Sequence, residues 1–330
     1  MQDQKMHTLT FSKFGEPEVM EYIKTDVPTL DFGEVLVKMK AIGLNYADIY
    51  RRKGNYHLKG NPPYIAGYEG AGEIVESKST KFKLGDRIAF TDVPFANAEY
   101  VKVPEDNVIK LPKEISYQTA ASVLLQGLTA HYLSEDSHNV KKGEVILIHA
   151  ASGGVGQILT QICKMKEAVV IGLSRSEFKL NIISKHKADH SILLDKNWSK
   201  RILEITTGKG VDVVYDSVGV TLPESFQVTK EKGHVVFYGM SGGDLEAVDP
   251  RMLMDTSKTL SGGDLWSYIK TYEERNKRAI ILFDWLQSGK LILEDPIRFK
   301  LSEGKLAHEF FEAGKSSGKI LLIPDDEYKI

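Results

Sequence analysis

The sequence predicts an α/β protein in which a β-rich region is followed by a doubly wound parallel sheet. Three observations support this fold class. Short strands and turns run to about residue 120, strands and helices alternate from Glu144 onward, and a glycine-rich turn lies near the start of that alternation. Alternation with helices of crossover length favours a parallel sheet covered on both faces. At 330 residues, the chain is long enough for about two domains.

Alternating apolar residues and flanking turns predict the strands of the first region. They cover residues 34–43, 72–76, 86–90 and 99–104. Ser116 is expected to cap the first long helix. Later strands are expected at residues 145–149, 168–173, 190–194, 211–216 and 234–238, with an edge strand at 259–261.

Beyond about residue 266 the pattern predicts two helices, near residues 278–286 and 306–313, and a last strand at 319–324. The simplest domain organisation has one domain, residues 125–265, inserted into another domain. That second domain is made of residues 1–124 and 266–330. The inserted domain is expected to bind a nucleotide.

The glycine-rich turn follows the apolar segment 145–149 and opens a helix. It reads Ala151, Ser152, Gly153, Gly154, Val155 and Gly156. Small residues let the backbone approach a pyrophosphate, and the N–H groups of a helix N-terminus point at its charge. An ordinary tight turn is the alternative, because Ala151 replaces the usual first glycine, but the strand–turn–helix context favours dinucleotide binding.

Composition excludes several classes of protein. The net charge of −2 gives no basic surface for nucleic acid. The single cysteine, Cys163, lies in an apolar helix pattern and is expected to be a reduced core residue. The N-terminus has no apolar signal region, and no run of about 18 apolar residues predicts a membrane helix. A cytoplasmic location is expected.

Several motifs together resemble the medium-chain dehydrogenase/reductase superfamily, and more narrowly the zinc-independent quinone oxidoreductases of the zeta-crystallin type. They are the glycine turn with Gln161 and Lys164, and the segments 41–48, 67–72, 126–130 and 216–219. The resemblance implies a GroES-like catalytic domain and a Rossmann domain, with the active site in the cleft between them. It also implies a homodimer paired through residues 258–261, since an exposed edge strand is a template for another.

The resemblance also bears on zinc. Zinc-dependent relatives have a Cys in the motif that begins at Gly43 and a His before Glu69. This chain has Asn45 and Tyr68 in those motifs, and it lacks four cysteines for a structural zinc site. We therefore expect a protein without a metal.

The end of the second strand of the inserted domain bears on the cofactor. An NAD site usually carries an acid there, which bonds the ribose 2′-hydroxyl. This chain instead has Ser174, Arg175 and Lys179, which suit a 2′-phosphate. A solvated basic loop is the alternative, and two positions where relatives have Tyr and Arg differ here (193–195 and 262–263). NADP(H) is nevertheless favoured.

Family resemblance assigns the remaining site residues. Asn45 would contact the nicotinamide ribose or a substrate oxygen, and Thr129 the nicotinamide. Tyr50 and Tyr56 would line the substrate site, where a phenol donates a hydrogen bond and a ring stacks on a flat substrate; the alternative is half-buried surface aromatics. Further cofactor-binding residues lie at strand ends: Ser217, Tyr238, Gly239, Met240 and Ser241.

The leading functional hypothesis is an NADPH-dependent quinone reductase. The second is an NADPH-dependent alkenal or enone double-bond reductase, which needs the same cofactor site. The third is a non-catalytic RNA-binding protein, against which the net charge of −2 argues. His149, in an apolar strand, is expected to be structural, and Asp216 is expected merely to cap its turn.

Overall fold

The structure is a computed structural model that describes residues 4–243 and 245–328. Within these ranges the chain forms two compact units. Unit 1 contains the residues up to Leu125, Ile269–Gln287 and the residues from Glu294 on. Unit 2 contains Gln126–Tyr268 and Ser288–Leu293.

The described strands are β1 Lys5–Phe11, β2 Met20–Asp26, β3 Glu34–Leu44, β4 Tyr64–Ile65, β5 Glu69–Ser77, β6 Arg87–Thr91, β7 Tyr100–Pro104, β8 Ile109–Lys110, β9 Val145–Ile148, β10 Val169–Ser174, β11 His190–Leu193, β12 Val211–Asp216, β13 Thr229–Phe237, β14 Thr259–Gly262, β15 Ile297–Lys300 and β16 Ile320–Ile323. The described helices are α1 Tyr46–Lys53, α2 Tyr117–Tyr132, α3 Gly154–Met165, α4 Leu180–Lys185, α5 Trp198–Ile205, α6 Leu222–Val228, α7 Pro250–Thr256, α8 Tyr272–Gln287 and α9 Gly304–Glu312.

Unit 1 is built on a mostly antiparallel sheet in the order β15-β16-β3-β5-β6-β8, with β7 paired to β3. A smaller sheet has the order β2-β1-β4. Strand β3 pairs with β16 at Ile320 opposite Leu44, and with β5 at Ile42 opposite Gly70. The C-terminal end of β3 therefore lies next to the start of β5 and the start of β16.

Unit 2 contains a six-stranded parallel sheet in the order β11-β10-β9-β12-β13-β14. The chain starts in the middle of the sheet and winds outward in both directions, which is the doubly wound arrangement that the alternation predicts. The edge strand β14 is also confirmed. The largest difference in this sheet is at β13, which begins at Thr229 rather than residue 234, whereas the other strand ends agree with the prediction to within one residue. The first half of β13 contains three exposed polar residues, 230–232. It therefore lacks the apolar pattern from which a strand is predicted.

Local details support the same assignment. The Ser116 hydroxyl oxygen accepts the N–H of Thr119 at 3.0 Å and thereby caps α2, as predicted. Cys163 is completely buried, and burial raises the pKa of its thiol to about 12. None of the helices in the described ranges combines the length and the apolar character needed to cross a membrane.

Candidate functional site

The glycine-rich turn joins β9 to α3 at the carboxyl edge of the parallel sheet. Gly153 occupies the N-cap position of α3 and has no side chain to bond the first N–H groups, which leaves them for an anion. A Cβ on Gly156 would lie 2.5 Å from the carbonyl oxygen of Ala150, so only glycine fits there. The predicted segment 151–156 is thus the turn and the first turn of the helix, as expected.

The end of β10 lies next to this turn. The Ser152 hydroxyl donates to the Ser174 hydroxyl at 3.2 Å, and both side chains are buried. Arg175 is exposed, whereas Lys179 is mostly buried. Burial and the charge of Arg175 lower the pKa of Lys179. A bound anion would oppose this shift, because a nearby negative charge favours the protonated form of Lys179.

Five further predicted cofactor residues of unit 2 follow β12 and β13, which are neighbours in the sheet. The backbone N–H and the hydroxyl of Ser241 each donate to the carbonyl oxygen of Ser217 at 3.1 Å. The N–H of Gly242 donates to the carbonyl oxygen of Val218 at 2.9 Å. The structure therefore ties the segment 238–241 to the loop that contains Ser217.

A buried polar network supports that loop from behind. The Asp216 carboxylate accepts the N–H groups of Val218 and Gly219 at 2.8 and 2.9 Å, and the hydroxyls of Thr221 and Ser225 at 2.8 Å each. The Nε2 atom of His149 lies 3.0 Å from the Ser225 oxygen. Burial lowers the pKa of His149, so this histidine is neutral, in agreement with its expected structural role.

In unit 1, the structure brings Tyr50 and Tyr56 together. Their ring centroids are 6.4 Å apart in an edge-to-face arrangement, and both side chains are half-buried. Tyr46 packs edge-to-face on Tyr50 with a centroid distance of 5.3 Å. The two predicted substrate tyrosines thus belong to one aromatic cluster, which is formed by α1 and the segment that follows it.

Asn45, the third predicted catalytic residue, is buried directly before α1. Its Nδ2 donates to Glu69 Oε2 at 2.8 Å and to the carbonyl oxygen of Gly43 at 3.2 Å, while its Oδ1 accepts from Lys319 Nζ at 2.7 Å. The sequence analysis did not assign roles to Glu69 or Lys319. An acid among small residues at the start of an apolar strand is the only local signal for Glu69.

Arg51 is a third residue that the sequence analysis missed. Its guanidinium lies 3.5 Å above the ring centroid of Tyr68 and 5.0 Å from that of Tyr56. It also pairs with the buried carboxylate of Asp48 at 3.1 Å. Burial raises the pKa of Asp48, although Arg51 opposes the shift. A cation enclosed by two tyrosines therefore stiffens the aromatic cluster.

Comparisons with known proteins agree with this architecture. Two family models match, the alcohol dehydrogenase GroES-like domain over residues 31–113 and the zinc-binding dehydrogenase over residues 154–279. The quinone oxidoreductase of Pseudomonas aeruginosa is 36% identical over 322 residues, which cover 96% of this chain and 99% of that protein. The chain belongs to the quinone oxidoreductase family of medium-chain dehydrogenases/reductases.

Two further matches describe the family's range. The crystal structure of Escherichia coli quinone oxidoreductase complexed with NADPH superposes with a TM-score of 0.91 at 33% identity, and covers 96% of this chain and 100% of that one. The 2-haloacrylate reductase of a Burkholderia species is 32% identical over 94% of this chain and 97% of that protein. The predicted GroES-like and Rossmann fold class is confirmed.

The matching zinc-binding dehydrogenase model raises the question of a metal in this quinone oxidoreductase family member. Asn45 offers an amide in the motif in which, by the family resemblance, zinc-dependent relatives have a thiolate, and the Glu69 carboxylate is engaged by the ammonium of Lys319 at 2.6 Å. The hydroxyl of Tyr68 accepts the N–H of Lys59. These residues do not fit zinc. Among the described residues, no group of three or more His, Cys, Asp or Glu side chains is placed to hold a metal ion.

Two features of unit 2 complete the description. Thr129 lies buried in α2. A cavity of about 400 Å³ lies between α6, α7 and residues 246–249, and it contains none of the predicted site residues. Its wall is mainly apolar, with Leu222, Phe226 and Met252 among the residues that form it.

Proposed function

We propose that this protein is an NADPH-dependent quinone reductase that transfers hydride to a quinone without zinc. The observation that carries the proposal is the pair of cations at the end of β10. The charge of Arg175 helps to lower the pKa of Lys179, and Arg175 directly follows Ser174 of the Ser152–Ser174 contact. A 2′-phosphate suits such a site, and relatives named quinone oxidoreductase cover almost the whole chain.

Nicotinamide supplies the hydride when the cofactor is bound, so the chain's residues supply positioning and electrostatics. In this proposal the turn 151–156 holds the pyrophosphate, and Ser174, Arg175 and Lys179 hold the 2′-phosphate. Ser217 and the segment 238–241 bind farther along the cofactor, and Thr129 and Asn45 bind near the nicotinamide. Tyr50 and Tyr56 stack on the quinone, and a phenol donates a hydrogen bond to the oxygen that gains charge.

The decisive experiment follows NADPH oxidation with a panel of ortho- and para-quinones and enals, repeated with NADH and with a chelator. Quinone turnover with NADPH that the chelator leaves unchanged would support the proposal. Loss of activity on chelation would contradict a zinc-free site. Absence of any turnover would reopen the hypothesis of a non-catalytic binding protein.

A second candidate is an alkenal or enone double-bond reductase with the same cofactor. The relative named 2-haloacrylate reductase, 32% identical to this chain, favours it. The same panel separates the two candidates, because this second activity requires turnover of enals with little turnover of quinones.

The cofactor preference gives a direct prediction for Arg175→Ala. We expect the KM for NADPH to rise about tenfold, because a charge-assisted contact to the 2′-phosphate is lost, and the KM for NADH to change little. Steady-state kinetics with both cofactors measures this. Lys196→Ala, an exposed lysine of the same unit, is the control. Equal effects on NADPH and NADH would contradict the 2′-phosphate role.

We further propose a homodimer that pairs through residues 258–261. Strand β14 ends the sheet of unit 2, so one of its edges has no strand beside it among the residues that the structure describes. A monomeric mass in light scattering at micromolar protein concentration would contradict the dimer. The domain boundaries at 124/125 and 265/266, a cytoplasmic location, and the lack of nucleic-acid or membrane partners stay predictions.

A further inference from the structure

A buried ion pair lies beside Asn45, and the proposed reaction does not itself require it. Lys319 Nζ lies 2.6 Å from Glu69 Oε2, and the two side chains are 3% and 0% exposed. Removing two charges from water costs more than their attraction usually returns, and apolar replacements are often at least as stable. The presence of this pair is therefore better explained by the geometry or the charge that it fixes at this place than by a contribution to stability.

The members of the cluster come from distant parts of unit 1. Asn45 follows β3, Glu69 opens β5 and Lys319 directly precedes β16. Because β3 lies between β16 and β5 in the sheet, the three side chains meet at one end of these strands. The second carboxylate oxygen, Glu69 Oε1, accepts the N–H of Leu125 at 2.7 Å. Both oxygens of the carboxylate are thus engaged.

The ion pair dictates which way the Asn45 amide faces. Its oxygen accepts from the Lys319 ammonium at 2.7 Å, and its nitrogen donates to the Glu69 carboxylate at 2.8 Å. Rotation of the amide by half a turn would place its N–H groups against the ammonium and its oxygen against the carboxylate. Both contacts would then be repulsive, since an ammonium only donates and an ionised carboxylate only accepts.

We propose that Lys319 is a positioning residue whose ammonium supplies, in this chain, the positive charge that a metal ion supplies to the same part of the fold in zinc-dependent relatives. It balances Glu69 and locks the amide of Asn45. Zinc does not fit here, because the cation is already part of the chain. The inference rests on the proposed function, in which Asn45 contacts the nicotinamide ribose or the substrate oxygen.

The kinetic test compares Lys319→Met, Lys319→Arg and the control Lys305→Met, which changes an exposed lysine of the same unit. For Lys319→Met we expect kcat with a quinone to fall about tenfold or more, since small displacements near a reacting centre cost this much. The KM for NADPH should change less than about threefold, because the proposed phosphate contacts lie in unit 2. Lys319→Arg, which keeps the charge, should recover part of kcat.

The deuterium isotope effect with NADPH labelled at the transferred hydrogen separates positioning from loss of folded protein. It should rise in Lys319→Met as hydride transfer becomes slower, whereas a smaller folded fraction leaves it unchanged. Wild-type kcat and an unchanged isotope effect in Lys319→Met would overturn the proposal.

A second measurement requires no turnover. Lys319→Met leaves a buried carboxylate without a cation, and adding Glu69→Gln removes that charge. We expect the double variant to recover at least about tenfold in the unfolding equilibrium constant relative to Lys319→Met alone. A double variant that folds when Lys319→Met does not would support the proposal in the same way. Losses in the free energy of unfolding that simply add for Lys319→Met and Glu69→Gln would overturn the proposal. Failure of the wild-type protein to reduce quinones would instead refute the proposed function. The unfolding comparison of the single and double variants would still test the pairing of Lys319 with Glu69.

Discussion

Among the described residues, Glu69 in unit 1 and Asp216 in unit 2 are completely buried carboxylates at a terminus of a strand, and their charges are balanced in different ways. Glu69 in unit 1 pairs with an ammonium from Lys319, 250 residues farther along the chain. Asp216 in unit 2 finds its four donors between Val218 and Ser225, within nine residues. The charge of Glu69 is thus balanced by a cation from a distant part of the chain, whereas that of Asp216 is balanced by hydrogen bonds from its own loop.

The difference teaches how each site is positioned. Burial by itself raises the pKa of Asp216, but the hydrogen bonds that its carboxylate accepts from Val218, Gly219 and Thr221 outweigh burial and hold the pKa below its ordinary value. That network shapes a βα loop that carries a predicted cofactor residue, Ser217. The Glu69 pair instead joins neighbouring strands of a sheet and orients Asn45, so it depends on the tertiary fold of unit 1.

Removing each acid should produce unequal losses. Glu69→Gln leaves the Lys319 ammonium buried without a counter-charge, and we expect a loss of about 3–5 kcal/mol in the free energy of unfolding. Asp216→Asn keeps one oxygen for the two N–H donors, and the hydroxyls of Thr221 and Ser225 can rotate to accept from the new amide, so the loss should be about 1–2 kcal/mol. Urea unfolding of both variants measures the difference. Equal losses would show that the distant cation is no more important than the local loop.

A buried histidine of unit 1 makes the stability of the protein depend on pH. His308 in unit 1 is completely buried, and within the described part of the chain neither of its ring nitrogens has a hydrogen-bond partner. Burial, with help from the charge of Arg52, lowers its pKa from 6.5 to about 3. Its folded state therefore binds fewer protons than the unfolded state, and stability is lost as the pH falls below about 6.5.

His308→Leu should accordingly stabilise the protein more at pH 5 than at pH 7. The additional gain should be about 2 kcal/mol, since each pH unit in this window is worth about 1.4 kcal/mol for one buried neutral histidine. Urea unfolding of variant and wild type at the two pH values tests this. An identical difference at pH 5 and pH 7 would mean that His308 is not the group that titrates.

The smallest effect is expected at an ion pair of the same length on the surface. Lys5 Nζ and Asp26 Oδ1 are also 2.6 Å apart, but the side chains are 57% and 77% exposed. Lys5→Ala should change the free energy of unfolding by less than about 1 kcal/mol, because water screens the pair and competes for it. A loss as large as that of Glu69→Gln would break the argument that burial makes the Lys319 pair different.

Much of the fold could be predicted because its signals are local. The alternation after Glu144 predicts the parallel sheet, the glycine turn predicts where α3 begins, and the residues after Leu173 favour a phosphate over a ribose hydroxyl. Each signal depends on neighbours within one strand, turn or helix, where backbone preferences and apolar periodicity act. Family motifs added Asn45, Tyr50 and Tyr56, whose roles stay predictions.

The sequence by itself therefore determined the fold class and the position of the dinucleotide turn, since short-range periodicity carries both. Only the tertiary structure decided that Lys319 and Glu69 meet at Asn45, across 274 and 250 residues of sequence. The reason is physical: the contact depends on β16 pairing beside β3, and strand order has no local signature in the chain. Arg51 over Tyr68 is a second such contact, between a residue of α1 and the residue directly before β5.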